Sequence, residues 1–555
     1  MSTLLPQGDP EEVPARPHAA RHALSPHQAK AQVAPPPLSA SLERGDPHRE
    51  PSPGTARART ERRGNALPLP RSRLASGPEG PHALRPLLDT VLDALHAGER
   101  ARGGPLPAGG PDAVAARVRD AVGDVLPDEG DPDALRVLVQ AVAEGAADPA
   151  HPLCAAHLHC PPLAVATAAD LAVSALNPSM DSWDQAPAAS ELEELVTRAL
   201  ANEVYAEAPR GAGLYGLYRY AAPSRGTIGP HRPAADTAQH HPDALITTGG
   251  TESNQLALLL AREAHGPSVR LVVGGNAHHT LPRAAWLLGL PAPVVVPAPA
   301  GTLDPAALDQ ALTALPGPIL VAATAGTTDA GLIDPLPDIA ALCRTHGARL
   351  HIDAAYGGPL LFSQRHRAKL TGLAAADTVT LDLHKLGWQP VPAGVLAVKN
   401  TRDLAALHHH ADYLNADDDT EAGLPDLLGR SLRTTRRPDA LKIAVTLKTL
   451  GRTGLGTLID HICDRAREFA ALVQEHPGYE LYDTPTLSTV LFRPTTATDD
   501  AVAAVRRQLL TDGRAVLGRA RLDGRLWLKA TLLNPATRPG DLAGLLKLVE
   551  GTTPR

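Results

Sequence analysis

Four cysteines in 555 residues, Cys154, Cys160, Cys343 and Cys463, are too few and too scattered for a disulfide scaffold. They point to a reducing compartment, with the cytoplasm as the default. No apolar run approaches the length of a membrane span, and the opening residues MSTLLPQGDPEEVPAR put acids and prolines where a secretory leader needs a continuous apolar stretch. A soluble chain without a leader is expected. Positive charge is not in excess either: the formal net charge of −7 and the pI of about 6.4 argue against nucleic acid or an anionic membrane as a partner. Lysine is confined to Lys30, Lys369, Lys385, Lys399, Lys442, Lys448, Lys529 and Lys547. A lysine set in an apolar turn therefore stands out.

The length exceeds what one core usually supports, so two or three packed units are expected. Residues 1–80 are rich in Pro, Arg, Ala, Ser and His without apolar periodicity, which predicts a disordered tail. Order begins where Leu84, Leu87, Leu88, Val91, Leu92 and Leu95 share one helical face before the breaker Gly98. Leu135, Leu138, Val139 and Val142 form a second such face, so 81–205 reads as a helical segment that packs on its own chain or on another subunit. From Ala244 the texture changes to short β-prone runs alternating with helical stretches: ALITT, VRLVV, PVVV, ILVAAT, RLHID, TVTLD and GVLAV. This predicts a large α/β domain at 206–405, with a mostly parallel seven-stranded sheet and helices on both faces. Ligands in such sheets bind outside the carboxyl ends of the strands. A loop at 406–430 and a small α+β domain at 431–555 follow.

Three features after these strands carry chemistry. In ALITTGGTESN, residues 244–254, a glycine pair leads from strand into helix, and bare amides backed by the helix dipole suit one phosphate. Taken alone, Gly249, Gly250 and Thr251 read equally as a tight turn; no Gly-Lys-Ser/Thr follows, so this is not a Walker loop. In HIDAAYGG a strand delivers Asp353, whose carboxylate needs a cationic partner such as a pyridinium nitrogen, or else caps the next segment. In TLDLHK, Lys385 follows a strand and precedes the apolar Leu-Gly-Trp-Gln-Pro turn, where desolvation favours imine chemistry; the plainer reading is a surface cation. Phosphate cradle, pyridinium partner and imine lysine are together the handles that pyridoxal 5′-phosphate requires.

With these residues in place, the sequence resembles the group II pyridoxal-phosphate-dependent amino-acid decarboxylases. The likeness runs from about His151 to Pro535 through HPLCAAHL, NPSMDSWDQAPAASELE, TTGGTESNQLALLLAR, AHHTLPRAAWLLGL, ATAGTTDAGLIDPL, HIDAAYGGPLLFSQRHRAKLTGL, ADTVTLDLHKLGWQPV, LGRSLRTTRRPDALK and LKATLLNP. It implies an aminotransferase-like (fold type I) architecture, a homodimer with sites at the subunit interface, and 206–405 as the cofactor-binding domain. It also implies Lys385 as the Schiff-base lysine, Asp353 as partner of the ring nitrogen, and His278 as the histidine on the ring face, with the adjacent His279 as the rival match. Gly249, Gly250 and Thr251 fall at phosphate-binding positions, with Thr327 and His384 as further candidates. Tyr413, on the 406–430 loop that the family makes mobile and catalytic, matches the residue that returns a proton to Cα; alternatively it packs on the small domain.

Within the family the motifs are most like those of the L-2,4-diaminobutyrate and lysine decarboxylases. That branch implies a diamino acid, whose distal ammonium Asp181 or Asp184 would pair while Trp183 walls the pocket; the two acids serve equally as residues at the start of the SELEELV helix. The HKLGWQPV turn and a long stretch at 205–242, with Tyr215, Tyr218 and Tyr220, depart from that branch and leave an aliphatic or aromatic substrate open. Two other classes remain to be weighed. His151, Cys154, His157, His159 and Cys160 have metal-ligand chemistry but not a standard zinc spacing, so no metal site is assigned. An aminotransferase or another pyridoxal-phosphate lyase would share the lysine and the fold.

Overall fold

The computed structural model describes residues 74–206 and 241–553; the tail reading and the tyrosines of the 205–242 stretch fall outside them. The first elements are helices α1 (Gly80–Arg102), α2 (Gly110–Val122) and α3 (Ala134–Gly145), with α1 packed along α3. Leu84, Leu88 and Val91 are partly covered, whereas Leu87, Leu92, Leu95, Leu135, Leu138 and Val142 stay exposed within the single chain. A two-residue strand β1 (Cys154–Ala155) precedes α4 (Ala164–Leu176) and α5 (Pro187–Tyr205). Two residues are too short a run for sequence periodicity to reveal.

The seven β-prone runs all become strands: β2 (Asp243–Thr247), β3 (Arg270–Gly274), β4 (Val294–Val296), β5 (Ile319–Thr324), β6 (Arg349–Ala354), β7 (Thr378–Asp382) and β8 (Gly394–Val398). They form one sheet in the order β2-β8-β7-β6-β5-β3-β4, in which β8 is the antiparallel member. Between them lie α6 (Gly250–His265), α7 (Thr280–Leu287), α8 (Pro305–Ala314) and α9 (Leu336–His346). The runs read as continuous apolar segments because both faces are covered. Val272 and Val321 join α5, α8 and α9 in one cluster, while their strand neighbours Leu271, Val273, Leu320 and Ala322 join α6 and α7 in another. That alternation is the two-residue period of a strand buried on both sides.

The short helices α10 (Asp412–Asn415) and α11 (Asp417–Glu421) lead to α12 (Ala440–Glu475), which is interrupted at Gly451 by a φ of 63° that a side chain would resist. Strands β9 (Tyr479–Leu481), β10 (Thr489–Pro494), β11 (Val516–Leu522) and β12 (Arg525–Thr531), with α13 (Asp499–Thr511) and α14 (Pro539–Thr552), complete the chain. Their sheet runs β1-β11-β12-β10-β9, and β1 pairs parallel to β11. The segment before the large sheet thus contributes an edge strand to the small one.

Two buried polar joints fasten α12 and the residues just before it to the helices that precede the large sheet. Arg436 meets Glu193 of α5 in a two-pronged pair at 2.6 and 2.7 Å. Lys442, wholly buried, has its Nζ 3.0 Å from Asp439 and 3.4 Å from Asp170 of α4. Burial pushes the Asp439 carboxyl above its ordinary range, and the Lys442 ammonium works against that shift. Among the described residues, no helix is long and apolar enough to cross a membrane.

Candidate active site

A cavity of about 310 Å³ opens where the large sheet presents its strand ends. Each wall is the continuation of a strand. β2 runs into Thr248, Gly249, Gly250 and Thr251; β5 ends at Thr324; β6 delivers Asp353; and β7 ends at Asp382, just before His384 and Lys385. His278 reaches the cavity from the turn after β3. In the sheet Thr324 is aligned with Asp353 and Asp353 with Thr380, so one row of backbone fixes two lining residues and the buried Thr380 beside them.

Glycine is required at the start of α6 by close approach. A Cβ on Gly250 would sit 3.1 Å from Cβ of Ala355, and one on Gly394 of β8 would come within 2.4 Å of Cα of Gly249. The Gly250 N–H donates to Oδ2 of Asp382 at 3.2 Å. The same oxygen lies 3.5 Å from Lys385 Nζ, and Oδ1 lies 2.6 Å from Nδ1 of His384. Asp382 therefore ties the glycine turn to the lysine, a role that TLDLHK did not reveal. Thr248 donates through both N–H and hydroxyl to Glu252, at 2.6 and 2.7 Å, which fixes the first turn of α6.

Asp353 is 5% exposed. Its Oδ1 accepts from the Ala355 N–H at 3.1 Å and its Oδ2 from Nδ2 of Asn254 at 2.8 Å. Asn254, one turn into α6, was not singled out by its motif because its partners lie 26 to 126 residues away. Burial lowers the pKa of His278, against an upward pull from Asp353, so the ring favours its neutral form. His279 lies beside it, ring centres 4.2 Å apart and planes tilted by 47°, but does not line the cavity. Tyr356 also lines it, with its hydroxyl on Ser488 and Thr489 at 2.8 and 3.0 Å; burial pushes that phenol up to about 12. Lys529 of β12 donates to the carbonyl of Thr328, a further lining residue, at 2.8 Å.

The chain does not bring every candidate to this cavity. Thr327 is buried in the adjoining turn, where its hydroxyl accepts from Leu332 N–H at 3.0 Å. Tyr413, in α10, is 82% exposed and does not line the cavity. Asp181 and Asp184 are held locally by Gln185 and Ser182, at 2.6 and 2.5 Å, and Trp183 lines a separate cavity of about 270 Å³. Cys154 pairs in β1 and Cys160 donates to the His384 carbonyl at 3.1 Å; among the described residues, no cluster of three metal-ligating groups occurs.

A buried carboxylate, a lysine amine and a glycine-lined helix start around one small cavity suit a phosphorylated pyridine aldehyde. Residues 231–495 match the pyridoxal-dependent decarboxylase conserved domain. An L-2,4-diaminobutyrate decarboxylase of Rhizobium meliloti (strain 1021) is 38% identical over 418 residues, 72% of this chain and 78% of that protein. The chain belongs to the pyridoxal-dependent decarboxylase family. A second protein of that name, from Acinetobacter baumannii, is 32% identical over 436 residues, 72% of this chain and 79% of that one. The solved glutamate decarboxylase domain of diaminobutyrate-pyruvate transaminase and L-2,4-diaminobutyrate decarboxylase from Vibrio parahaemolyticus superposes with a TM-score of 0.71 at 30% identity, covering 86% of this chain and 97% of that one. The fold is accordingly that of the pyridoxal-phosphate decarboxylases, the cofactor is pyridoxal 5′-phosphate, and the enzyme is an amino-acid carboxy-lyase.

Proposed function

We propose that this decarboxylase removes the α-carboxylate of an L-diamino acid, L-2,4-diaminobutyrate foremost, releasing CO₂ and the corresponding diamine. The reading is carried by its likeness, at 38% and 32% identity, to two bacterial enzymes bearing that activity in their names. When bound, the cofactor supplies an electron sink for the pair left behind by CO₂. Lys385 is the amine that bonds its aldehyde, and Asp353 is the acid that keeps its ring nitrogen protonated. Gly249, Gly250 and Thr251 hold its phosphate, with Thr327 and His384 close by, and His278 serves the ring face. Asp382 keeps the lysine and the phosphate turn in register.

Tyr413 supplies the proton to Cα, either after the 406–430 loop moves or from a second subunit. A homodimer is the working unit: the leucines left exposed on α1 and α3 support a subunit contact there. Four free cysteines support a cytoplasmic location.

The test is a panel of amino acids, including 2,4-diaminobutyrate, ornithine, lysine, glutamate, aromatic and branched aliphatic residues, assayed for CO₂ and amine. The expected best substrate is 2,4-diaminobutyrate, with borohydride trapping the cofactor on Lys385 and Tyr413→Phe diverting turnover to carbonyl by-products. Preference for valine, leucine or an aromatic amino acid would overturn the substrate, and trapping on another lysine would overturn the assignment of Lys385. A catalytically competent monomer in sedimentation would overturn the dimer.

A further inference from the structure

Asn254 sits at the centre of a buried polar network that the cofactor assignment does not explain. Its side chain is 1% exposed and makes four contacts. Nδ2 donates to Oδ2 of Asp353 at 2.8 Å and to the hydroxyl of Thr280 at 3.0 Å. Oδ1 accepts from the Thr380 hydroxyl at 2.8 Å and lies 3.1 Å from Nε2 of His351. The network continues from His351 Nδ1 to the Thr378 hydroxyl at 2.9 Å, and from Thr280 to Nδ1 of His278 at 2.8 Å. Thr280, Thr378, Thr380 and His351 are all at most 3% exposed.

Hydrogen-bond polarity follows from one charge. An ionised Asp353 can only accept, so the amide of Asn254 must turn its NH₂ toward that carboxylate. Its carbonyl oxygen then faces Thr380 and His351, which requires a hydrogen on Nε2 of His351 and leaves Nδ1 to accept from Thr378. On the other arm Thr280 has accepted from Asn254, which leaves its own hydrogen and one lone pair for Nδ1 of His278. When that hydrogen is donated to Nδ1, the ring hydrogen resides on Nε2.

We propose that Asn254 is a positioning residue that aligns Asp353 and, through the hydroxyl of Thr280, holds His278 as the neutral tautomer with its hydrogen on Nε2. This rests on the roles given above to Asp353 and His278. Every donor and acceptor of the Asn254 amide is used, so no rotation of it preserves the set, and a satisfied buried network of this kind is rigid. The two arms make separate demands: one orients the acid on β6, the other the imidazole ahead of α7.

The arms can be cut independently. Asn254→Ala removes both, whereas Thr280→Val, nearly isosteric, removes the hydroxyl that serves His278 and keeps the Asn254–Asp353 hydrogen bond, leaving one Nδ2 hydrogen of Asn254 without its acceptor. Cofactor uptake by the apoenzyme, followed by fluorescence, should weaken about tenfold or more in Asn254→Ala and stay within about twofold in Thr280→Val. The second readout is the acid limb of kcat/KM. His278 is faced by Asp353 at the end of β6, by His279 beside it and by Lys385 after β7, and burial also acts on it. None of these changes in Thr280→Val. Losing a donor to Nδ1 makes that nitrogen easier to protonate, so the limb should move to higher pH, and Thr280→Ser should restore it. The opposite tautomer, with Nδ1–H donating to Thr280, predicts movement to lower pH. A limb that stays put or moves down in Thr280→Val, or wild-type cofactor affinity in Asn254→Ala, would overturn the proposal. Wild-type protein that takes up no cofactor on Lys385 would instead overturn the underlying reading.

Discussion

Two carboxylates and two histidines around one cavity are given different work by their partners. Asp353, with one oxygen on Asn254 and the other on a backbone N–H, is the proposed partner of a cationic ring nitrogen, whereas Asp382 is already occupied by Gly250, His384 and Lys385. On the proposed roles, replacing Asp353 removes the group that keeps the electron sink charged, and replacing His278 loosens positioning. Asp353→Ala should therefore lower kcat on the order of 10²–10³-fold at saturating cofactor, well beyond the effect of His278→Ala. Near-normal turnover by Asp353→Ala in a steady-state assay would contradict this.

His351 gives a pH test of the same network. Its burial pulls its pKa from 6.5 down to about 4, while Asp353 acts in the opposite direction. Between those values the unfolded chain takes up a proton that the folded chain refuses, so stability is full above about 6.5 and declines as pH falls toward about 4. Melting temperature followed over that window should fall less steeply in His351→Gln, which keeps a donor for Asn254 without a titrating ring. Parallel curves for the two proteins would show that His351 contributes nothing.

At the scale of elements, the start of α6 is the proposed place where backbone meets the phosphate. Gly250→Ala places a methyl group 3.1 Å from Cβ of Ala355, so Ala355 would have to give by a few tenths of an ångström. Overpacking of that size costs about 1–3 kcal/mol, and cofactor affinity should drop along with apoenzyme stability. An Ala variant that binds cofactor as the wild type does, measured by fluorescence titration, would show that the turn can yield. The joint between α12 and α4 is a different kind of contact, since Lys442→Met strands the buried Asp439 without its ammonium, while Asp170 keeps Arg437 at 2.8 Å. Breaking such a buried pair from one side typically costs about 3–5 kcal/mol, to be read as a lowered midpoint in urea unfolding.

These cases show what a linear sequence makes legible. All seven strands of the large sheet could be read because burial on both faces forces continuous apolar runs such as ILVAAT. That Lys385 and Asp353 line the cavity could be read because they follow strand ends, where α/β sheets bind ligands. β1 could not, being two residues whose pairing partner is Val516–Leu517. The polar network around Asn254 was hidden because its members come from α6, β6, β7 and the start of α7. Asp181 and Asp184 illustrate the converse: acids adjacent in sequence to a plausible site are satisfied by their own turn. Periodicity reports which face is buried; it carries no information on which distant hydroxyl a buried amide will find.

For the whole molecule, the decisive feature is how the Lys385 turn is held. Cys160 donates to the carbonyl of His384 at 3.1 Å and the Leu163 N–H to that of Trp388 at 2.9 Å, both from far upstream. From downstream, the indole of Trp388, 1% exposed, donates to the carbonyl of Leu533 at 2.8 Å. The turn is thus pinned by chain 224 residues before it and 145 residues after it. Contacts of such separation form late, since the entropy of closing long loops precedes any gain from them. A chain still being synthesised can complete the seven strands by Val398 and yet lack the carbonyl that seats the indole. Acquisition of yellow colour on adding cofactor should then mark the end of assembly: ribosome-held chains stopped before Leu533 should stay colourless, and full-length refolding should show secondary structure in circular dichroism ahead of the visible band.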